Sequence, residues 1–155
     1  MPPLSLEQMS ARLLIAVLFG GLVGINRDLH GKPAGLRTHA LVALGAALVV
    51  LATAQLASPG DRRADVISRV AQGVITGVGF LGAGVILRDP GEGRVHGLTT
   101  AAAIWATALF GVASGAGAFR EVGLGFVLVV LVLSLGGPIE RLVRRVFHQP
   151  SGEGG

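Results

Sequence analysis

The chain has 155 residues, 51% of them hydrophobic and only 14% charged, with a formal net charge of +4. A soluble domain carries about 25% charged residues, so this composition excludes a globule covered by its own polar surface. Cysteine is absent, which excludes disulfides, thiolate catalysis, cysteine-ligated metal and palmitoyl anchoring.

Five long runs carry no charge: residues 13–26, 38–60, 70–87, 95–119 and 122–139. A bilayer core of about 30 Å takes roughly 20 helical residues. The expected fold is therefore all-α, a polytopic membrane bundle of five transmembrane helices within a single domain over 1–147. The polar, glycine-rich end over 148–155 reads as a disordered tail. The isoelectric point near 11.3 comes from arginines scattered between apolar runs. With no basic helix face or stacking platform, nucleic acid is not an expected partner and the lipid bilayer is.

Span one covers 13–26, and can start as early as Ser5, which stands at capping-box spacing from Gln8. Arg12 would then snorkel to the interface. Met1-Pro2-Pro3 is not a basic leader, so the first span is expected to be retained. Span two is placed at 38–57, before the turn-like Ser58-Pro59-Gly60-Asp61. Spans three, four and five are placed at 69–87, 98–115 and 121–136. Loops 26–37 and 88–97 plus the C-terminal end hold eight Lys and Arg, against five on the other side. The positive-inside rule makes the first side cytoplasmic, with the N-terminus outside and the C-terminus inside.

An internal repeat is visible. Phe19, Gly21, Ile25, Arg27 and Asp28 meet Phe80, Gly82, Ile86, Arg88 and Asp89 at an offset of 61. Gly35, Leu36, Thr38 and Ala40 then meet Gly97, Leu98, Thr100 and Ala102 at 62. Chance alignment in a Gly/Ala/Leu-biased chain is the competing explanation. The shared Arg-Asp and Gly-Leu-x-Thr argue against it, because their Arg, Asp and Thr lie outside that bias. Both units enter the membrane from one side, so the repeat is parallel.

The repeat gathers a candidate cytoplasmic-face polar cluster: Asn26, Arg27, Asp28, Arg37, Thr38, His39, Arg88, Asp89, Thr99 and Thr100. Asp28 and Asp89 could hold a hard divalent cation such as Mg²⁺, or simply form interfacial ion pairs with the neighbouring arginines. Thr38 and Thr100 could add oxygen ligands, or cap the starts of spans two and four. Within the spans, Gln72, Thr76, Gly77, Gly79, Gly82, Gly84 and Trp105 are the polar or packing residues singled out. Trp105, well inside span four, fits a packing or constriction role. No Asp, Glu, Lys or Arg is expected at mid-membrane, which weakens a pump or antiporter reading and leaves a passive pore open.

Gly77-Val78-Gly79-Phe80-Leu81-Gly82 matches GxGxxG literally, but it lies inside an uncharged run with no acid about 20 residues on, so a dinucleotide site is rejected. The pairs Gly20/Gly24, Gly73/Gly77 and Gly111/Gly115 instead suit close helix approach, within the chain or in a homodimer. No nucleophile–base set can be assembled, and an enzyme is not expected.

The blocks Ala34-Gly35-Leu36-Arg37-Thr38-His39, Arg69-Val70-Ala71-Gln72, Gly77 to Ile86 and Gly97-Leu98-Thr99-Thr100-Ala101-Ala102 with Trp105 resemble the bacterial MgtC/SapB family, in order and spacing, over about 13–136. That resemblance implies a five-span inner-membrane protein with a cytoplasmic C-terminus. It departs from the family at Asn26-Arg27-Asp28, where Glu-Arg is common, and it looks like the short form without a C-terminal cytoplasmic domain. The resemblance further implies a role in growth at limiting Mg²⁺ and, in relatives, in survival inside host cells. Some members regulate other membrane machinery, including the ATP synthase, so a membrane protein partner is implied. No cofactor is expected beyond Mg²⁺ as a candidate ion. The resulting expectation is support of magnesium homeostasis by regulation, with a Mg²⁺ or small-solute transporter or channel as the alternative.

Overall fold

The computed structural model describes residues 4–56, 62–88 and 95–147. Five helices, each long and apolar enough to cross a membrane, are accompanied by one short ladder. They are α1 (Leu6–Leu29), α2 (Leu36–Leu56), α3 (Arg63–Gly84), α4 (Leu98–Ala116) and α5 (Phe119–Phe147). The ladder pairs β1 (Leu87–Arg88) antiparallel with β2 (Val95–His96), Leu87 opposite His96.

Local chemistry sets the ends. At the start of α1, Gln8 N–H donates to Ser5 Oγ at 3.2 Å and Ser5 N–H donates to Gln8 Oε1 at 3.1 Å. Two otherwise orphaned donors are thereby satisfied, and span one begins where its capping box stands. Helix α4 ends at Gly117, in the left-handed region at φ 87°. The Ala118 N–H there donates to Ala113 O at 2.9 Å, as in a Schellman cap.

Three boundaries differ from the sequence expectation. Helix α3 starts at Arg63 rather than 69, because the charged lead-in is itself helical, and it stops at Gly84, where the chain turns into β1. Helix α5 continues past 136 to Phe147, with Pro138 inside it. A proline there removes one bond to the carbonyl four residues earlier. The following Glu-Arg-Leu-Val-Arg-Arg favours helix strongly enough to extend it. The ladder was not expected at all. The turn at 58–61 and the tail over 148–155 lie outside the described residues.

The centre is the trio α1, α2 and α4. A methyl placed on Gly20 would lie 2.7 Å from Ala43 Cβ and from the His39 carbonyl oxygen. One on Gly111 would lie 2.2 Å from the Ala43 carbonyl oxygen, and one on Gly115 2.7 Å from that of Ala47. Two of the three GxxxG pairs are thus used up inside the chain. In lipid, where apolar surface gives no net drive between helices, such close backbone approach is what packs them. Ala16, Ala43 and Ala47, all fully buried, continue this seam.

The other two helices are peripheral. Helix α5 is held through Val122 and Phe126, packed with Val23, Phe19 and Phe110. Phe126 meets Phe19 edge-on at 5.0 Å between centroids and Phe110 at 6.4 Å. Helix α3 packs by one side only, through Val78 and Val74 against Ile104 and Ala108.

Candidate functional site

The end of α1 and the starts of α2 and α4 meet, as the repeat predicts, but the polar residues there divide into three settings. Arg27, 5% exposed, lies in the last turn of α1 and reaches across to the other unit of the repeat. Its Nη2 donates to the buried Thr100 Oγ1 on α4. Arg27 Nε has no partner among the described residues.

Asp28 is turned away from this arginine. Its Oδ2 accepts the Leu36 N–H at 2.9 Å, so the carboxylate caps α2 from the preceding helix. A negative group there also meets the positive end of the α2 dipole. Gly35 makes this contact feasible, because a Cβ on it would fall 1.8 Å from Asp28 Oδ1. Gly97, its repeat-mate, serves an equivalent close approach: a Cβ there would meet the Val85 carbonyl oxygen at 1.9 Å, and φ is +88°. The shared glycine of Gly-Leu-x-Thr is required by the chain passing beside each helix start.

His39 is completely buried. Its Nδ1 lies 3.1 Å from the Gly35 carbonyl oxygen, which only accepts, so Nδ1 carries the hydrogen and donates. Nε2 is then left without a partner among the described residues, as are Thr107 Oγ1 and Ser114 Oγ, both fully buried. Thr100, Thr107 and Ser114 follow one another at seven-residue spacing on α4 and form one buried hydroxyl stripe.

The remaining cluster residues are not gathered. Arg37, Thr38 and Thr99 are exposed. The cap on α2 comes from Asp28 rather than Thr38, and α4 has Gly97 at its cap position with no side-chain bond, so Thr100 serves Arg27 instead. Asn26 Nδ2 donates to Ser134 Oγ on α5 at 3.3 Å. Asp89 and the Arg88 side chain lie outside the described residues.

Of the two proposed cation ligands only Asp28 is among the described residues. Asp28 is engaged by a backbone donor, Arg27 follows α1 into the same region, and no group of three or more His, Asp or Glu among the described residues could hold a metal. A resident Mg²⁺ is not matched by the side chains described here.

Of the span residues singled out, Gly82 is buried and would place a methyl 3.5 Å from Ala101 Cβ. Gln72, Thr76, Gly77, Gly79 and Gly84 are exposed. Trp105 is 43% exposed and lines an open groove of about 310 Å³ with Val78, Gly79, Ala83 and Ala101. Trp105 thus sits on the outside of the bundle, beside α3, and not at an internal constriction.

Sequence reading missed two features. Arg12 Nη1 donates to the Gly115 carbonyl oxygen at 2.7 Å, so this arginine satisfies the open end of α4 as well as reaching an interface. The hydroxyl stripe was legible as Thr100-x₆-Thr107-x₆-Ser114, a heptad interval that keeps one helix face.

The model of the MgtC family matches residues 13–142. The chain belongs to the MgtC family. It is 47% identical over 133 residues to protein SrpB of Synechococcus elongatus, covering 81% of this chain and 73% of that protein. It is 41% identical over 144 residues to YhiD of Escherichia coli, covering 88% and 65%. With protein MgtC of Salmonella typhimurium it shares 43% over 126 residues, covering 79% and 49%. The chain thus spans from about half to about three quarters of the length of these curated relatives. No solved structure matches it. It is a multi-pass membrane protein of the MgtC type.

Proposed function

We propose that this member of the MgtC family supports magnesium homeostasis and acclimation to low Mg²⁺ by regulating other membrane machinery, without conducting the ion and without catalysis. The link to magnesium is supported by YhiD, whose name proposes magnesium transport. The observation that carries regulation over transport is the closed trio. Helices α1, α2 and α4 approach until a methyl at Gly20, Gly24 or Gly111 would overlap a neighbouring backbone, so their backbones meet directly at these points. Asp28, the acid best placed for an inner mouth, is held as a helix cap.

The reading includes a bacterial inner membrane, with the Arg27 end cytoplasmic and the N-terminus outside, as the Lys and Arg asymmetry favours. It also includes a homodimer, since Gly73/Gly77 is a GxxxG pair where added methyls would meet nothing within 4 Å.

One observation favours a channel as the second reading. Arg27 Nε, His39 Nε2, Thr107 Oγ1 and Ser114 Oγ are buried and unpartnered, and such groups would line a polar track if α4 withdrew from α1 and α2.

Mg²⁺ influx into liposomes containing the purified protein and a trapped Mg²⁺ indicator tests the proposal. The expected rate equals that of protein-free liposomes. Influx that His39→Leu or Thr107→Val abolishes would overturn regulation in favour of the channel.

A further inference from the structure

Helices α3 and α5 are both peripheral, yet the faces they leave uncovered differ in polarity near mid-helix. The uncovered face of α5 is made of Leu124, Leu128, Leu131 and Leu135, all about half exposed or more, as lipid requires. The uncovered face of α3 carries Asp65, Arg69, Gln72, Gly73, Thr76 and Gly77, all exposed and recurring at three- and four-residue spacing, and it continues into Phe80, 83% exposed. Gln72 and Thr76 stand about 12 and 18 Å along a helix of about 31 Å, counted from Ala64, and hence near the bilayer midplane. Thr76 Oγ1 donates to its own helix, at the Gln72 carbonyl oxygen, 2.9 Å away. The Gln72 amide has no partner among the described residues. A carboxamide facing hydrocarbon without a hydrogen bond is costly, so this face is poorly suited to lipid.

We propose that α3 pairs with α3 of a second copy, in parallel, about a two-fold axis along the membrane normal that passes beside Gln72. This rests on the homodimer in the reading above and specifies its face and symmetry. The occupant follows from self-complementarity. An amide is both donor and acceptor, so Gln72 meeting Gln72 of the second copy satisfies each. Gly73 and Gly77 let the backbones approach to the distance such bonds need. A two-fold contact places one patch against itself, and this patch has both the donor and the acceptor it requires.

The chain has no cysteine, so each single-cysteine variant carries one thiol. Gln72→Cys, Gly73→Cys and Thr76→Cys, oxidised in liposomes containing only this protein, are expected to give disulfide-linked dimers. Leu128→Cys on α5 is expected to give several-fold less. Gln72→Leu, in a chain otherwise unchanged, is expected to weaken dimerisation by roughly three- to twentyfold, read as energy transfer between labelled copies. Its side chain is exposed and makes no hydrogen bond among the described residues, so unfolding should not confuse the result. Energy transfer without the α3 cross-links would overturn this face while leaving a homodimer by another. Absence of energy transfer overturns both. Cross-linking in cell membranes to a different protein, and not in these liposomes, assigns the face to that protein and overturns the pairing.

Discussion

The same substitution should act with opposite sign at two glycines. Gly111 lies where α4 crosses α2, and a methyl there would sit 2.2 Å from the Ala43 carbonyl oxygen and 2.8 Å from Ala46 Cβ. Ordinary van der Waals contact begins near 3.4 Å, so Gly111→Ala requires α4 to withdraw from α2 by more than about 1 Å. A rigid helix carries that displacement to its neighbours. The Gly115 approach to Ala47 and the seam through Ala43 loosen together, and overpacking of this kind costs about 1–3 kcal/mol. Gly45, also on α2, would place its methyl with nothing within 4 Å. There Gly→Ala only removes backbone freedom from the unfolded chain, for a gain of about 0.5–1 kcal/mol. Unfolding of the detergent-solubilised protein, followed by helical circular dichroism against temperature or denaturant, should show Gly111→Ala less stable than the parent and Gly45→Ala at least as stable. Equal shifts would refute the close-packed trio, and with it the argument against a lumen.

Three further outcomes test the site. Asp28→Ala removes the cap on α2 and should cost about 0.5–2 kcal/mol, by the same amount with and without Mg²⁺. A Mg²⁺-dependent stabilisation of the parent that Asp28→Ala abolishes would make the carboxylate a cation ligand instead. Thr100→Val leaves the buried Arg27 without its acceptor and should destabilise by about 1–3 kcal/mol. Thr100→Ser should restore most of that, and equal behaviour of the two variants in a melt would count against the hydrogen bond. Phe126→Ala deletes the edge contacts to Phe19 and Phe110, together about 1–3 kcal/mol. Limited proteolysis in the segment between α4 and α5 should become faster, while unchanged cleavage would mean α5 is held by other contacts.

Much of the fold was legible because its signals are local. Charge-free runs located all five spans, and Ser5 with Gln8 identified the true start of the first. The repeat located the end where α1, α2 and α4 meet. What was not legible depended on three-dimensional direction. Asp28 and Thr38 both stand near the start of α2, and sequence spacing favours the threonine as its cap. The carboxylate takes that role because the loop folds back and Gly35 lets it approach. Arg27 and Asp28 are adjacent in sequence yet face different neighbours, as successive helical residues do, so a matched Arg-Asp is not a matched ion pair. The glycine pairs look alike in sequence, and only the packing separates those spent inside the chain, at 20/24 and 111/115, from 73/77, which is not. Span five is placed to 136 within its uncharged run, whereas α5 continues through Pro138 to Phe147 because the residues beyond it favour helix.

The two units of the repeat have therefore diverged in what they do. In the first, Gly20, Gly24 and the helix that follows are locked into the trio, and Arg27 is committed to Thr100. In the second, α4 is locked in the same way through Gly111 and Gly115, but α3 keeps Gly73, Gly77 and its amide on the outside. A chain that only needed a stable bundle would gain by an apolar outer face on α3, as α5 has. Retaining Gln72 there is disfavoured in lipid unless something covers it. The immobile centre and the polar outer helix together fit a protein that acts by contact within the membrane. The flux and cross-linking measurements separate the two parts of that statement, since a lumen could open without a dimer and a dimer could form around a closed trio.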